Sequence, residues 1–302
     1  MTPLELTTFV HNTCNNPEAL LEKHSHVLYL IFRWASSDAV HPLILQVKSA
    51  LLEIHAQDPK KIQPALFIAE TCLALHEYQE FLVWMKLVAH PSYSSNRINS
   101  LLTVKDRLTL PPDEKEQKVF GIGLSKTGTT SLDFYLNQIG VHATHFTNLH
   151  TRNLIRASDL SLFTAFSDIT ISWQFEKLYA LLPKAKFIYT TRQLDTWTTS
   201  ITQHYQSSNE ITEPFQLNES ISAETYQGRL RAIHDNLYTP YESWEEAYEA
   251  FDQRVNNFFR DKDPNQLLKI DLIQDPNAHL KVAEFLGKEP VGMAFPHKNK
   301  TE

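Results

Sequence analysis

Residues 119–135, VFGIGLSKTGTTSLDFY, constrain the fold of this chain more than any other stretch. An apolar strand runs into a glycine loop, and the loop opens directly into a helix. The N–H groups of such a loop and helix start are unpaired and point outward, which suits them to a phosphate. The loop nearly matches the phosphate-binding pattern G-x-x-x-x-G-K-[ST]: Gly123 and Gly128 are correctly spaced and Thr130 fills the Ser/Thr place. Thr129 stands where the lysine belongs, and the lysine comes earlier, at Lys126. A lysine inside the loop can still reach a transferring group, while the usual β/γ-phosphate lysine is missing.

After the loop, strand and helix patterns alternate, the sign of a parallel sheet with helices on its faces. Strands are expected at 118–124, 141–146, 165–169, 186–191 and 266–272. Helices are expected at 129–139, 173–182, from 194 through Trp197 and Ile201, at 241–260 and at 277–286. Residues 205–224 are polar and read as an irregular lid or substrate loop.

Glycine usage divides the chain, since none of its seven glycines precedes Gly121. Residues 1–107 read as an all-α domain, with apolar stripes such as Leu66, Ala69, Cys72 and Leu73, then Phe81, Trp84, Met85 and Val88. Residues 62–91 have the outline of one tetratricopeptide-like helix pair closed by His90-Pro91, and an irregular helical cap fits them equally. A linker with Pro111-Pro112 spans 108–117. The fold class is therefore α/β, a P-loop three-layer domain with a central parallel sheet at 118–302, preceded by an all-α N-terminal domain.

Composition narrows the function. A formal charge of −7 argues against a nucleic-acid partner, which would want a basic surface. Cys14 and Cys72 have no disulfide framework or metal-ligand spacing and read as buried thiols. The N-terminus lacks a basic region followed by an apolar run, and 27–32 is too short to cross a bilayer, so a cytoplasmic, membrane-free protein is expected.

Two segments together resemble the P-loop sulfotransferases of the bacterial type, enzymes that use 3′-phosphoadenosine-5′-phosphosulfate. GIGLSKTGTTSL is similar to their 5′-phosphosulfate loop. KFIYTTRQLDTWTTS resembles their 3′-phosphate segment, a strand ending in Arg192 with Ser200 eight residues on. The ending LLKIDL…VAEFLG…FPHKN is also similar. The resemblance spans roughly 118–299 and leaves the helical N-terminus unexplained.

The resemblance implies transfer of a sulfonate to a hydroxyl or amine acceptor. Lys126 would face the bridging and sulfonyl oxygens. Thr129, Thr130 and the Gly128 amide would hold the 5′-phosphate, Arg192 and Ser200 the 3′-phosphate, and Ser125 and Thr127 would belong to the same donor site. A base must take the acceptor's proton. The candidates are His145, where the family often has a histidine, Asp168, where it often has an acid facing the acceptor, and His142. Sulfonate carries less charge than a terminal triphosphate, so no metal is expected. HATHFTNLH has no helical context or third ligand for one. Trp197 reads as core rather than an adenine platform. His297, Lys298 and Asn299 read equally as a basic segment over the 3′-phosphate or a solvated tail.

Two other functions fit parts of the sequence. One is an ATP-dependent small-molecule kinase, against which Thr129 counts, as does the lack of a Walker-B acid; Asp168 and Asp271 end strands without the apolar run. The other is a scaffold that binds a protein partner through the helical domain. The acceptor pocket is expected in loops 147–164 and 205–240, whose composition names no substrate.

Overall fold

A computed structural model describes residues 1–35, 37–88, 96–109, 117–207, 225–292 and 295. Its chain forms two compact units, one of residues 1–115, 147–154 and 221–229, the other of 116–146, 155–220 and 230–302.

Among its described residues the first unit carries α1 (Pro3–Cys14), α2 (Pro17–Trp34), α3 (Ser37–Gln57), α4 (Ile62–Ala74), α5 (Tyr78–Val88) and α6 (Asn96–Thr109). Local sequence sets their starts. Thr2 and Glu5 form a capping box before α1, and the Asn16 side chain caps α2, each with proline at the first turn. Every residue of α4 from Pro64 to Ala74 is buried, so this helix runs through the middle of its unit. A tight turn reverses the chain between α4 and α5. His76 takes the left-handed conformation there (φ 60°), and the Glu77 N–H closes back on the Cys72 carbonyl at 2.9 Å. The pair expected from 62 onward therefore forms, while His90 and Pro91 lie outside the described residues. The expected linker begins later than 108, because α6 runs through Thr109; 110–116 lie outside the described residues.

Burying α4 whole also buries Glu70, which is fully enclosed. Arg97 grips its carboxylate with a two-nitrogen fork, through Nε at 2.6 Å and through Nη2. His150 Nδ1 lies 3.4 Å away, and the His24 ring stacks on Phe67 beside it. Burial pushes this carboxyl up, but the His150 and Arg97 hydrogen bonds and the Arg97 charge bring it down to about 2.

The second unit carries a five-stranded, all-parallel sheet in the order β2-β3-β1-β4-β5. Its strands are β1 (Val119–Ile122), β2 (Ala143–His145), β3 (Ala165–Ser167), β4 (Lys186–Thr191) and β5 (Leu267–Asp271). Its helices are α7 (Thr129–Gln138), α8 (Ile169–Ser172), α9 (Phe175–Leu181), α10 (Leu194–Ser207), α12 (Trp244–Phe259) and α13 (Ala278–Leu286), while α11 (Tyr226–Leu237) belongs to the first unit through Arg229 and to the second from Leu230. Leu132, Tyr135 and Leu136 of α7 and Ala278 and Val282 of α13 cover Val119, Ala165, Ile188 and Ile270 on one face. On the other face Phe120 and Phe187 pack at 5.4 Å, and Phe187 continues to Phe259 of α12 at 5.2 Å. Side chains alternate between faces along the strands, and both faces are covered, which is why KFIYTT reads as an almost unbroken buried run.

β1 is central, with β3 on one side and β4 on the other. The chain leaves β1 toward one edge and later returns to its other side, so a crevice opens at the carboxyl ends of these three strands. The strand expected at 165–169 is shorter. It stops at Ser167, and Asp168 instead starts the short helix α8, which the helix expected at 173–182 had missed. The irregular segment expected at 205–224 begins later, since α10 runs through Ser207; 208–224 lie outside the described residues.

Candidate active site

The glycine loop follows β1 and ends at Gly128, whose φ of 100° only glycine adopts without strain. No side chain caps the start of α7, so its first-turn amides keep their outward donors. Gly123 is held by closeness rather than by φ. A methyl group there would lie 2.0 Å from Thr190 Oγ1, so β4 and the loop touch backbone to side chain. The Gly123 N–H donates to Ser172 Oγ at 2.8 Å, and that hydroxyl donates back to the Gly123 carbonyl at 2.7 Å. Ser125 is clamped on both sides. Its N–H donates to Tyr238 Oη at 3.1 Å, and its carbonyl accepts from Trp197 Nε1 at 2.8 Å. Trp197 is fully buried, a core residue with one polar contact to the loop.

Thr127 is buried, and its hydroxyl donates to the Leu124 carbonyl at 2.8 Å and pairs with Thr190 Oγ1 at 2.7 Å. Its hydroxyl thus braces the loop from inside. Lys126 sits at the apex with φ 70° and is half-buried. Burial and the neighbouring Arg192 charge lower its ammonium below the usual lysine range, against the opposing pull of Asp168.

Arg192 follows β4, the neighbour of β1. Its Nη1 donates to the Lys126 carbonyl at 3.2 Å and its Nε to Thr196 Oγ1 at 3.2 Å, rather than to Asp195. Tyr248 fixes its backbone, accepting from the Arg192 N–H at 3.0 Å and donating to the Arg192 carbonyl at 2.6 Å. Ser200, two turns into α10, is 3% exposed and its Oγ has no hydrogen-bond partner. An unsatisfied buried hydroxyl costs about 1–3 kcal/mol, so it marks a place that a polar ligand can complete.

His145, at the end of edge strand β2, and Asp168, after β3, form a pair, Nε2 to Oδ2 at 3.0 Å. The same nitrogen lies 3.1 Å from Thr129 Oγ1 and 3.3 Å from Thr130 Oγ1. The hydroxyls of the two threonines expected at the phosphate therefore touch the histidine expected as base. Burial pulls His145 down, but the Asp168 charge and hydrogen bond lift it above its ordinary value. Burial pushes Asp168 up, but His145 and the Ile169 N–H hold it below the carboxylate range. Asp168 adopts φ 89°, ψ −178°, a backbone region that is essentially glycine's alone.

Sequence reasoning missed four contributors. Tyr238 and Tyr248 reach the loop and Arg192 from 113 and 56 residues away. His204 of α10 feels the charges of Lys126 and Asp168. Asp133 of α7 feels that of His145. Helical spacing from Trp197 and Ile201 could have put His204 on a helix, but nothing local signals the tyrosines. His142 stacks on Phe163 with ring centroids 4.7 Å apart. Asp271 caps the turn after β5, accepting from Ile273 and Gln274. Phe295 packs on Tyr135 at 4.8 Å, and His297, Lys298 and Asn299 lie outside the described residues.

Among the described residues, one group of His, Cys, Asp and Glu side chains lies close enough to share an ion: Cys72, Glu77 and Glu80, in the helical unit. Lys48 already bridges both carboxylates at 2.6 and 2.7 Å, and burial pushes the Cys72 thiol up to about 12. Among the same residues no helix is long and apolar enough to cross a membrane.

No curated protein matches the chain. Residues 118–302, which hold the loop, Arg192 and the His145/Asp168 pair, match the sulfotransferase domain family. The match takes in more than half of the sequence, and the chain belongs to that family of sulfonate-transferring enzymes.

Proposed function

We propose that this enzyme moves a sulfonate from 3′-phosphoadenosine-5′-phosphosulfate to a hydroxyl or amine of its acceptor. One observation carries the reading: Arg192 donates to the carbonyl of Lys126, so the anchors for two separate phosphates meet at one loop. The uncapped start of α7 suits the 5′-phosphate. Arg192 and the unpartnered hydroxyl of Ser200 suit the 3′-phosphate.

In this mechanism the acceptor oxygen or nitrogen attacks sulfur, and the bond from sulfur to the bridging phosphate oxygen breaks. Lys126 balances the negative charge that gathers on that oxygen and on the sulfonyl group. Preorganised charge of this kind supplies roughly 3–4 kcal/mol per donor. The acceptor's proton goes to the His145/Asp168 pair, which is already hydrogen-bonded and buried. Adenosine 3′,5′-bisphosphate and the sulfated acceptor leave.

Calorimetric titration with adenosine 3′,5′-bisphosphate and with ATP tests the donor. Micromolar or tighter binding of the bisphosphate is expected, weakened by Arg192→Ala. ATP binding equally well, or the bisphosphate not at all, would overturn the reading.

A further inference from the structure

Residues four apart on a helix share a face. On α7 that face carries Thr129, Asp133 and Asn137. Thr129 meets His145 Nε2 at one end. Asn137 meets Ala143 at the other, accepting from its N–H at 3.1 Å and donating to its carbonyl at 3.3 Å. Asp133 stands between them, along edge strand β2. Its Oδ1 is buried and has no hydrogen-bond partner, and the Asn137 amide donates to the Asp133 backbone carbonyl instead. A buried carboxylate oxygen without a donor is costly.

Resting on the reading above, we propose that Asp133 is a positioning residue for sulfonate transfer: a second carboxylate, besides Asp168, that steadies His145 as an imidazolium. His145 is then set between two acids, one at the end of β3 and one on α7. When the acceptor's proton arrives at the Asp168/His145 pair, Asp133 keeps the imidazole charged without itself touching the acceptor.

The charges around His145 fit this arrangement. From α7 it meets the neutral hydroxyls of Thr129 and Thr130 and feels the charge of the Asp133 carboxylate; from the end of β3 it meets Asp168. Asp168 in turn faces Lys126 of the loop and His204 of α10. Burial pushes the Asp133 carboxyl up to about 6, with His145 pulling the other way. Asp133 therefore gains its charge near neutral pH, where the imidazole needs it.

The test is the titration of His145 in the full chain, followed by NMR of ¹³Cε1-labelled histidine and assigned by the signal lost in His145→Gln. Asp133→Asn, neutral and of equal shape, should lower the midpoint by about half a pH unit or more. Asp133→Glu should restore most of it. An unmoved midpoint in Asp133→Asn overturns the proposal. Should that variant not fold, an Asp133→Glu midpoint indistinguishable from that of Asp133→Ser overturns it instead. Adenosine 3′,5′-bisphosphate titrated into the wild type tells the two readings apart. If it binds while the midpoint stays put, Asp133 alone loses its role; if it does not bind, the donor assignment fails and the NMR midpoint judges Asp133 independently.

Discussion

The guanidinium of Arg192 donates to the main-chain carbonyl of Lys126 at 3.2 Å, so the cation after β4 is tied to the cation at the apex of the loop after β1. The Arg192 charge lowers the proton affinity of Lys126, and an anion between them relieves that repulsion. Arg192→Lys keeps the charge and loses the planar fork. It should raise the KM for the phosphosulfate donor by about 10-fold or more, with a smaller effect on kcat. Initial-rate kinetics at varied donor check this, and an unchanged donor KM would remove Arg192 from the binding site.

In the proposed mechanism Lys126 acts on the transition state rather than on binding. Lys126→Ala should lower kcat by about 10²–10³, the loss of roughly 3–4 kcal/mol, while the nucleotide product still binds. Turnover at the wild-type rate with donor bound would refute the mechanism. Its φ of 70° makes Lys126→Gly the useful control, because the backbone is then unstrained and the loss is chemical.

The strained backbone of Asp168 gives an unusual stability order. Asp168→Ala and Asp168→Gly both remove the carboxylate from His145 and from the Ile169 N–H. Alanine keeps the cost of φ 89°, and glycine does not. Asp168→Gly should therefore be more stable than Asp168→Ala by about 1–3 kcal/mol, although glycine normally loosens the unfolded chain. Urea midpoints of the two variants decide it.

Much of this was legible in the sequence. β4 falls where KFIYTT predicts it, because a strand buried on both faces leaves a continuous apolar mark between polar ends. The glycine loop and its helix were legible for a similar reason, since Gly123 and Gly128 sit where contact and φ admit little else. Local pattern fails where the third dimension decides. β2 and β3 form within the strands expected at 141–146 and 165–169, but at three residues each they carry no periodicity that could have set their ends. Asp168 breaks β3 by adopting a conformation that propensity disfavours, held by partners from other elements. The clamp on Ser125 joins residues 113 positions apart. In the helical unit, the stripe of α4 was plain, yet Glu70 inside it gave no hint of Arg97 and His150, 27 and 80 residues on.

Acid stability follows from two buried acids, one in each unit, by the same sign. Glu70 falls from the usual 4.5 to about 2 in the folded protein, because the His150 and Arg97 contacts outweigh burial. A depressed folded value means that the stabilisation is present above the unfolded value and is lost as pH drops from about 4.5 toward 2. Asp168 behaves likewise. His145, raised in the folded state, contributes in the opposite sense: its share is complete below its unfolded value near 6.5 and disappears as pH rises through the folded one. Of these three groups, the two acids should thus lower stability on the acid side and His145 on the alkaline side. Glu70→Gln takes the counter-charge from half-buried Arg97 and should cost about 1–3 kcal/mol at neutral pH. The same variant should flatten the acid limb below pH 4.5. Urea denaturation followed from pH 3 to 8 measures both effects. A variant that loses stability equally at every pH would mean that Glu70 acts through its shape and not through its charge.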